Sequence, residues 1–190
     1  VLLSFLLAIF FIANYELFSV FKKNSNILFL DLVLIFALFS IYYLAENSLW
    51  LLLWVIILVI FSDVGGYVFG KIFKWKKLTK ISPKKTYSGV IGGYLFSIIF
   101  MTLFLNYIDN ISEIINIKTT AKELSLNNFI LTIFISTVSQ LGDIFVSYFK
   151  RKSKIKDTGK IIPGHGGLLD RIDGMIFAFP ATYLIFKVIY

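Results

Sequence analysis

The sequence contains no cysteine, which excludes thiol catalysis, cysteine-ligated zinc and disulfide bonds. It has a single histidine, His165, too few nitrogen ligands for a zinc site without cysteine. Charge is also scarce: 16% of residues are charged, against about 25% in an ordinary soluble domain. Acids are the scarcer sign, 11 against 19 Lys and Arg, leaving a net charge of +8. What fills the space is apolar. Hydrophobic residues make up 58% of the chain, and Leu49–Phe61 runs for 13 residues without a polar group of consequence. A water-soluble globule, a disordered chain and a disulfide scaffold are all excluded.

Windows of about 20 apolar residues are the length a membrane-crossing helix needs. Six are present: Val1–Phe21, Ile27–Ala45, Leu49–Gly70, Ser88–Ile108, Asn128–Phe149 and Leu168–Tyr190. They lack the period-2 alternation of a transmembrane barrel. Backbone groups in lipid must be satisfied within the segment, so the expected fold is all-α, a polytopic transmembrane helical bundle. The whole chain, 1–190, reads as one integral membrane domain. It opens on Val1 in an already apolar run, without an initiator Met or a basic leader, so missing N-terminal helices are expected upstream.

The connections alternate in charge. The first carries Lys22 and Lys23. The third carries Lys71, Lys74, Lys76, Lys77, Lys80, Lys84 and Lys85, and the fifth Lys150, Arg151, Lys152, Lys154, Lys156 and Lys160. Together they hold 15 of the 19 basic residues. The second has Glu46, and the fourth sets two lysines against Asp109, Glu113 and Glu123. The positive-inside rule then places the odd-numbered connections in the cytoplasm. With basic residues explained by topology, nucleic acid is not an expected partner.

Carboxylates are costly inside a bilayer, about 2.5–3.5 kcal/mol on insertion scales, and so need a purpose or a partner. Asp63 lies eight residues before Lys71, and Asp143 seven before Lys150. At about 1.5 Å rise per residue, each sits about 10–12 Å from a basic connection. Asp170 and Asp173 open the last apolar segment, so all four acids approach one leaflet. Ser136, Ser139, Gln140, Asp143, Ser147 and Lys150 recur at helical spacing and form a polar stripe expected to face the bundle interior. Crowded carboxylates favour a retained proton or a hard cation such as Mg²⁺. The competing reading pairs these acids with nearby Lys and Arg. Glu16 and Asp31 read as structural partners of Lys22 or Lys23. Gly66 with Gly70, and Gly89 with Gly93, have the spacing of close helix packing. Lys80-Ile-Ser-Pro-Lys-Lys-Thr86, running into Gly89, and Pro163-Gly-His-Gly-Gly167 combine cations, hydroxyls and glycines at helix starts, a setting for phosphate or for anionic headgroups.

Several of these segments recur in a known pattern. Ser147-Tyr-Phe-Lys-Arg151, Lys156-Asp157, Pro163-Gly-His-Gly-Gly167 and Asp170-Arg171-Ile172-Asp173 together resemble the signature of the phosphatidate cytidylyltransferase family, also called CDP-diacylglycerol synthases. Ser62-Asp63-Val-Gly-Gly-Tyr67, Phe69-Gly-Lys71, Ser82-Pro-Lys-Lys-Thr86 and Gln140-Leu-Gly-Asp143 are similar to the family's other recurring blocks. The likeness runs from about Phe61 to the C-terminus, with the signature region at 139–173. The first two spans contribute nothing to it. Ser88 stands where the family often has Glu, which puts an acid role there in doubt, and the chain is shorter than the family's usual length.

The resemblance implies transfer of a cytidylyl group from CTP to phosphatidic acid, giving CDP-diacylglycerol and pyrophosphate. It implies Mg²⁺, with a second cation left open, held by Asp143 and Asp170 and supported by Asp173. Lys156, Arg171 and His165 join the acids as candidate catalytic residues. Asp63, Lys84, Lys85, Thr86, Ser147, Lys150 and Arg151 are candidate substrate-binding residues. The setting implied is the bacterial inner membrane, with the active site toward the cytoplasm, membrane lipids around it and a homodimer as one form. Two rivals stand beside this reading: a CTP-dependent lipid or polyprenol kinase, which would share much of the site, and a cation-coupled transporter, which leaves the basic connections unexplained.

Overall fold

The structure, a computed structural model, describes residues 2–21, 27–115, 126–159, 161 and 166–189. The chain forms α1 (Leu2–Phe21), α2 (Ile27–Asn47), α3 (Leu49–Phe73), α4 (Tyr87–Ile115), α5 (Leu126–Lys152), α6 (Leu169–Ile172) and α7 (Met175–Ile189). An isolated β-bridge joins Lys77 and Thr86. The first five helices are long and apolar enough to cross a membrane. The sixth expected span is corrected. Leu168–Tyr190 does not form one helix; it is split into the single turn of α6 and the 15 residues of α7. The break falls at Asp173 and Gly174. Gly174 N–H donates to Asp173 Oδ1 (3.1 Å), and Gly174 O accepts from Phe177 N–H and Ala178 N–H as the new helix starts. At about 1.5 Å per residue α7 is about 22 Å long, less than the roughly 30 Å hydrocarbon core.

Two clusters of apolar side chains hold the bundle. One joins Leu44, Trp54, Val55, Leu58, Phe100, Ile135 and Phe179, binding α3 to α2, α4, α5 and α7. The other joins Ala13, Leu17, Leu34, Phe149, Leu169 and Ile176, fastening α1 and α2 to α5, α6 and α7. Large apolar side chains such as Phe5, Phe11, Leu28 and Ile99 remain exposed on the outer faces, as lipid-facing positions should.

Close packing dominates the α3–α4 pair. A Cβ on Gly89 would sit 2.8 Å from the Gly66 carbonyl oxygen, and one on Gly92 would sit 2.5 Å from that of Gly65. Helices in lipid gain little from hydrophobic burial against each other, so backbone approach through small residues is the available source of affinity. Gly66 and Gly89 do meet, as their spacing predicts. The tightest contacts involve Gly65 and Gly92, and Gly93 packs against both Ser62 of α3 and Gln140 of α5. Ser62, Ser97 and Ser136 link α3, α4 and α5 through hydroxyl hydrogen bonds, Ser62 to Ser136 at 2.8 Å.

The connection between α3 and α4 is folded back on itself. Lys74 closes α3 in the left-handed region (φ 49°). Leu78 N–H donates to Lys85 O (2.8 Å), and Tyr87 N–H to Lys76 O (3.2 Å). Thr79 Oγ1 accepts from the amides of Ile81 and Ser82, which fixes the turn. Thr86 Oγ1 accepts the Gly89 amide (3.1 Å) and so caps α4. These bonds bring Lys84, Lys85 and Thr86 over the end of α5 that carries Asp143.

Candidate active site

α5 presents its polar stripe inward, as expected: Ser136 and Ser139 are fully buried and Lys150 nearly so, although an ammonium in such a place demands counter-charge. That charge comes from two groups of acids. In the first, Lys85 Nζ donates to Asp143 Oδ2 at 2.8 Å and to Gln140 O at 3.2 Å. In the second, Lys150 Nζ donates to Asp170 Oδ1 at 2.9 Å and lies 3.7 Å from Asp173 Oδ2. Asp173 also meets Asp143, side chain to side chain, so the two groups form one chain of contacts: Lys85, Asp143, Asp173, Lys150, Asp170.

The surroundings of each carboxylate differ. Asp170 Oδ2 accepts the amides of Thr158 (2.8 Å) and Gly167 (2.9 Å). Burial would raise the Asp170 carboxyl, but the Gly167 amide, the Lys150 ammonium and the Thr158 amide outweigh it and hold it below its ordinary value. For Asp173 the balance is reversed. Burial, then the charge and hydrogen bond of Asp143, push it well above the ordinary carboxylate range against the opposing pull of Lys150 and Lys85. Asp143 Oδ1 and the neighbouring Ser139 Oγ are buried without a hydrogen-bond partner among the described residues. Both face Gly174, where a Cβ would stand 2.5 Å from Ser139 Oγ and 3.0 Å from Asp143 Oδ1. The break between α6 and α7 therefore lets the backbone come down onto these two oxygens.

A cavity of about 270 Å³ opens beside Asp143. Asp63, Lys84, Lys85, Thr86 and Asp143, five of the candidates, line it together. Asp63 is within electrostatic reach of Asp143 and Lys85. Ser62, Tyr67, Ser82 and Gln140 complete its polar wall. Lys150, Asp170 and Asp173 form the second group just described. The remaining candidates stand apart from the cavity. Ser147 is half-buried one turn beyond Asp143, and Lys156 and Arg171 are exposed. Arg151 is exposed and ties the two basic connections together, donating to Ile81 O (3.5 Å) and Ile155 O (3.2 Å). His165, with Pro163 and Gly164, lies outside the described residues. Among the described residues no three acidic or histidine side chains converge as a ready metal cage.

The expected pairing of Glu16 and Asp31 with Lys22 or Lys23 lies outside the described residues. Glu16 uses both carboxylate oxygens: Oε1 accepts the Leu168 amide (2.9 Å), and Oε2 the Leu169 amide (3.0 Å) and Thr158 Oγ1 (3.2 Å). Asp31 Oδ1 is buried with no hydrogen-bond partner among the described residues. Gln140 was legible as part of the polar stripe. The Thr158 and Gly167 amides were not, since backbone donors leave no mark on residue type.

Fold and site together define a polytopic helical membrane protein with a lysine–aspartate centre at one end of its bundle, beside a polar cavity. The chain belongs to the cytidylyltransferase family, whose model matches residues 1–189. It is similar to the phosphatidate cytidylyltransferase of Haemophilus influenzae, 39% identical over 146 residues, covering 75% of this chain and 48% of that protein. The phosphatidate cytidylyltransferase of Rickettsia conorii is 37% identical over 141 residues, 74% of this chain and 59% of the relative. That of Staphylococcus saprophyticus is 34% identical over 179 residues, 88% of this chain and 64% of the relative. The chain thus spans about half to under two thirds of the length of these relatives.

Proposed function

We propose that the protein transfers the cytidylyl group of CTP to phosphatidic acid. A phosphate oxygen of the lipid attacks the α-phosphorus of CTP and forms a new phosphoanhydride bond. The bond between the α-phosphorus and the oxygen that bridges it to the β-phosphorus breaks, and pyrophosphate leaves with that oxygen and the electron pair. The products are CDP-diacylglycerol and pyrophosphate. The lipid phosphate is already an anion, so no general base is required. The obstacle is repulsion between two anionic reactants, and fixed cations with pre-arranged geometry reduce it.

The single observation that carries this reading is the convergence of Lys84, Lys85, Thr86, Asp63 and Asp143 on one cavity at the basic end of the bundle. Lys84, Lys85 and Thr86 bind phosphate from one side. Lys150 would offer positive charge among the acids, with Arg151 and Lys156 close to it in sequence and Arg171 next to Asp170. His165 and Ser147 remain candidates for substrate contact. Mg²⁺ fits the chemistry of the acids: Asp143 Oδ1 is a buried, unpartnered carboxylate oxygen, and Asp173 meets the same side chain. Asp143 and Asp170, supported by Asp173, would hold the ion, and it would supply charge neutralisation for the phosphates. The alternation of basic and acidic connections supports an orientation with this end in the cytoplasm of a bacterial inner membrane, where soluble nucleotide meets lipid headgroup.

The test is direct. Purified protein given CTP, phosphatidic acid and Mg²⁺ releases pyrophosphate and forms a cytidine-linked lipid. Release of CDP with a newly phosphorylated lipid would identify a kinase and end the proposal. Asp143→Asn and Asp170→Asn each abolish turnover while the protein still inserts; near-normal turnover in both removes the metal assignment.

A further inference from the structure

α1 contributes no side chain to the cavity, yet it carries a carboxylate that is 1% exposed. Glu16 takes three donors from the segment leading into the acids: the amides of Leu168 and Leu169 and the hydroxyl of Thr158. The backbone is shaped to the carboxylate. A Cβ on Gly159 would stand 2.7 Å from Glu16 Oε1, and one on Gly167 would stand 2.5 Å from Oε2. The same segment then turns to Asp170. Thr158 bonds Glu16 through its hydroxyl and Asp170 through its amide. Gly167, packed on Glu16, donates its own amide to Asp170. Leu169, held by Glu16, directly precedes Asp170. Three routes of one or two residues therefore run from Glu16 to the Asp170 carboxylate.

We propose that Glu16 is a positioning residue: an internal anion on α1 that clamps Thr158, Gly159 and residues 167–169 and thereby sets the aim of Asp170 and, through Lys150, of Asp173. A carboxylate does this where an amide would not, because all three of its partners among the described residues are donors and a carboxylate presents acceptors on both oxygens. The residue lies in the part of the chain that the signature segments do not reach, 142 to 153 residues from its partners. The inference rests on the proposed activity only for its turnover arm.

Glu16→Gln keeps the shape but replaces one acceptor with a donor pointing at donors. The full chain in nanodiscs is examined by hydrogen exchange and by turnover. Exchange in peptides covering 156–159 and 166–170 rises at least about tenfold, while that in α3 and α4 stays at the wild-type value. In the cytidylyl-transfer assay kcat falls about tenfold or more and KM for CTP is unchanged, the signature of a misaimed acid rather than a lost binding contact. Thr158→Val, which removes one of the three donors, moves both readouts the same way by less, and the double variant is no worse than Glu16→Gln alone. Unchanged exchange at 156–159 and 166–170 overturns the proposal. So does exchange raised in every helix with wild-type kcat per folded molecule, which would mark a general structural role. If the wild-type protein transfers no cytidylyl group, the functional reading fails on its own account and the exchange arm still decides the clamp.

Discussion

Lys150 offers the sharpest test of the charge arrangement. Its side chain is 10% exposed and lies between Asp170, 9% exposed, and Asp173, 17% exposed. Lys150→Met preserves length and apolar stem but leaves two carboxylates without their ammonium. Removing one partner of a buried pair costs about 3–5 kcal/mol, because the remaining charge stays desolvated. Asp170 keeps the Thr158 and Gly167 amides, which argues for the lower end of that range. A loss of about 3 kcal/mol corresponds to a fall in Tm of about 6–12 °C for a chain of this size. Lys152→Met is the control, since Lys152 is exposed two residues away and its loss is worth about 0.5 kcal/mol or less. Adding Asp170→Asn to Lys150→Met removes the stranded Asp170 charge, so the double variant recovers part of the stability. Thermal unfolding of wild type, Lys150→Met, Asp170→Asn and the double variant in one detergent gives the cycle, with Lys152→Met measured beside it. The reasoning is refuted if Lys150→Met melts with Lys152→Met, or if the two losses in the double variant simply add.

Other perturbations probe separate parts of the structure. Asp170 has its carboxyl held below the ordinary value, so its contribution is complete above the unfolded pKa of about 3.9 and disappears as pH falls through the lower folded value. Asp170→Asn therefore lowers stability at neutral pH, and the gap from wild type closes in acid, as unfolding measured between pH 7 and pH 2 records. Lys85→Met takes the cation from Asp143 and from the cavity wall; kcat/KM falls about 100-fold or more with insertion intact, measured by pyrophosphate release. Gly92→Ala drives a Cβ into the Gly65 carbonyl and Phe69, costing about 1–3 kcal/mol in Tm assays, and it raises KM because α3 and α4 form the cavity walls. Thr86→Ala removes the cap of α4, costs about 1 kcal/mol, and is read by the same melt.

How much of this could be read from residue order depends on the range of the interaction. Five of the helices follow from apolar run length, because lipid leaves the backbone no other way to satisfy its hydrogen bonds. The inward face of α5 follows from period alone, since Ser136, Ser139, Gln140 and Asp143 repeat at helical spacing. The break between α6 and α7 does not follow: Leu168–Tyr190 is apolar enough to read as one span, and the split at Asp173 and Gly174 comes from tertiary contact with Ser139 and Asp143. Nor does the partnering of charges. Asp143 has Lys150 seven residues away on its own helix, but its ammonium comes from Lys85, 58 residues back across the folded connection. Lys150 instead crosses to Asp170, 20 residues on. The sequence-nearest cation is a poor guide here because each helix directs its side chains to a neighbour, and the neighbour is set by packing.

Glu16 is the extreme case of the same effect. An acid six residues before Lys22 in an apolar helix invites a local ion pair, and among the described residues its bonds run to amides and a hydroxyl more than 140 residues away. Local spacing cannot distinguish a carboxylate that balances a nearby lysine from one that organises a distant backbone. The distinction lies in the donors, and two of the three are peptide N–H groups that any residue but proline would supply. Gly159 and Gly167 are the one trace left in the sequence, since each lets the main chain approach the carboxylate where a Cβ would collide. A membrane site of this kind is therefore only half described by its charged residues. The other half is the backbone that aims them, and in this protein that backbone is held from a helix that lines no part of the cavity.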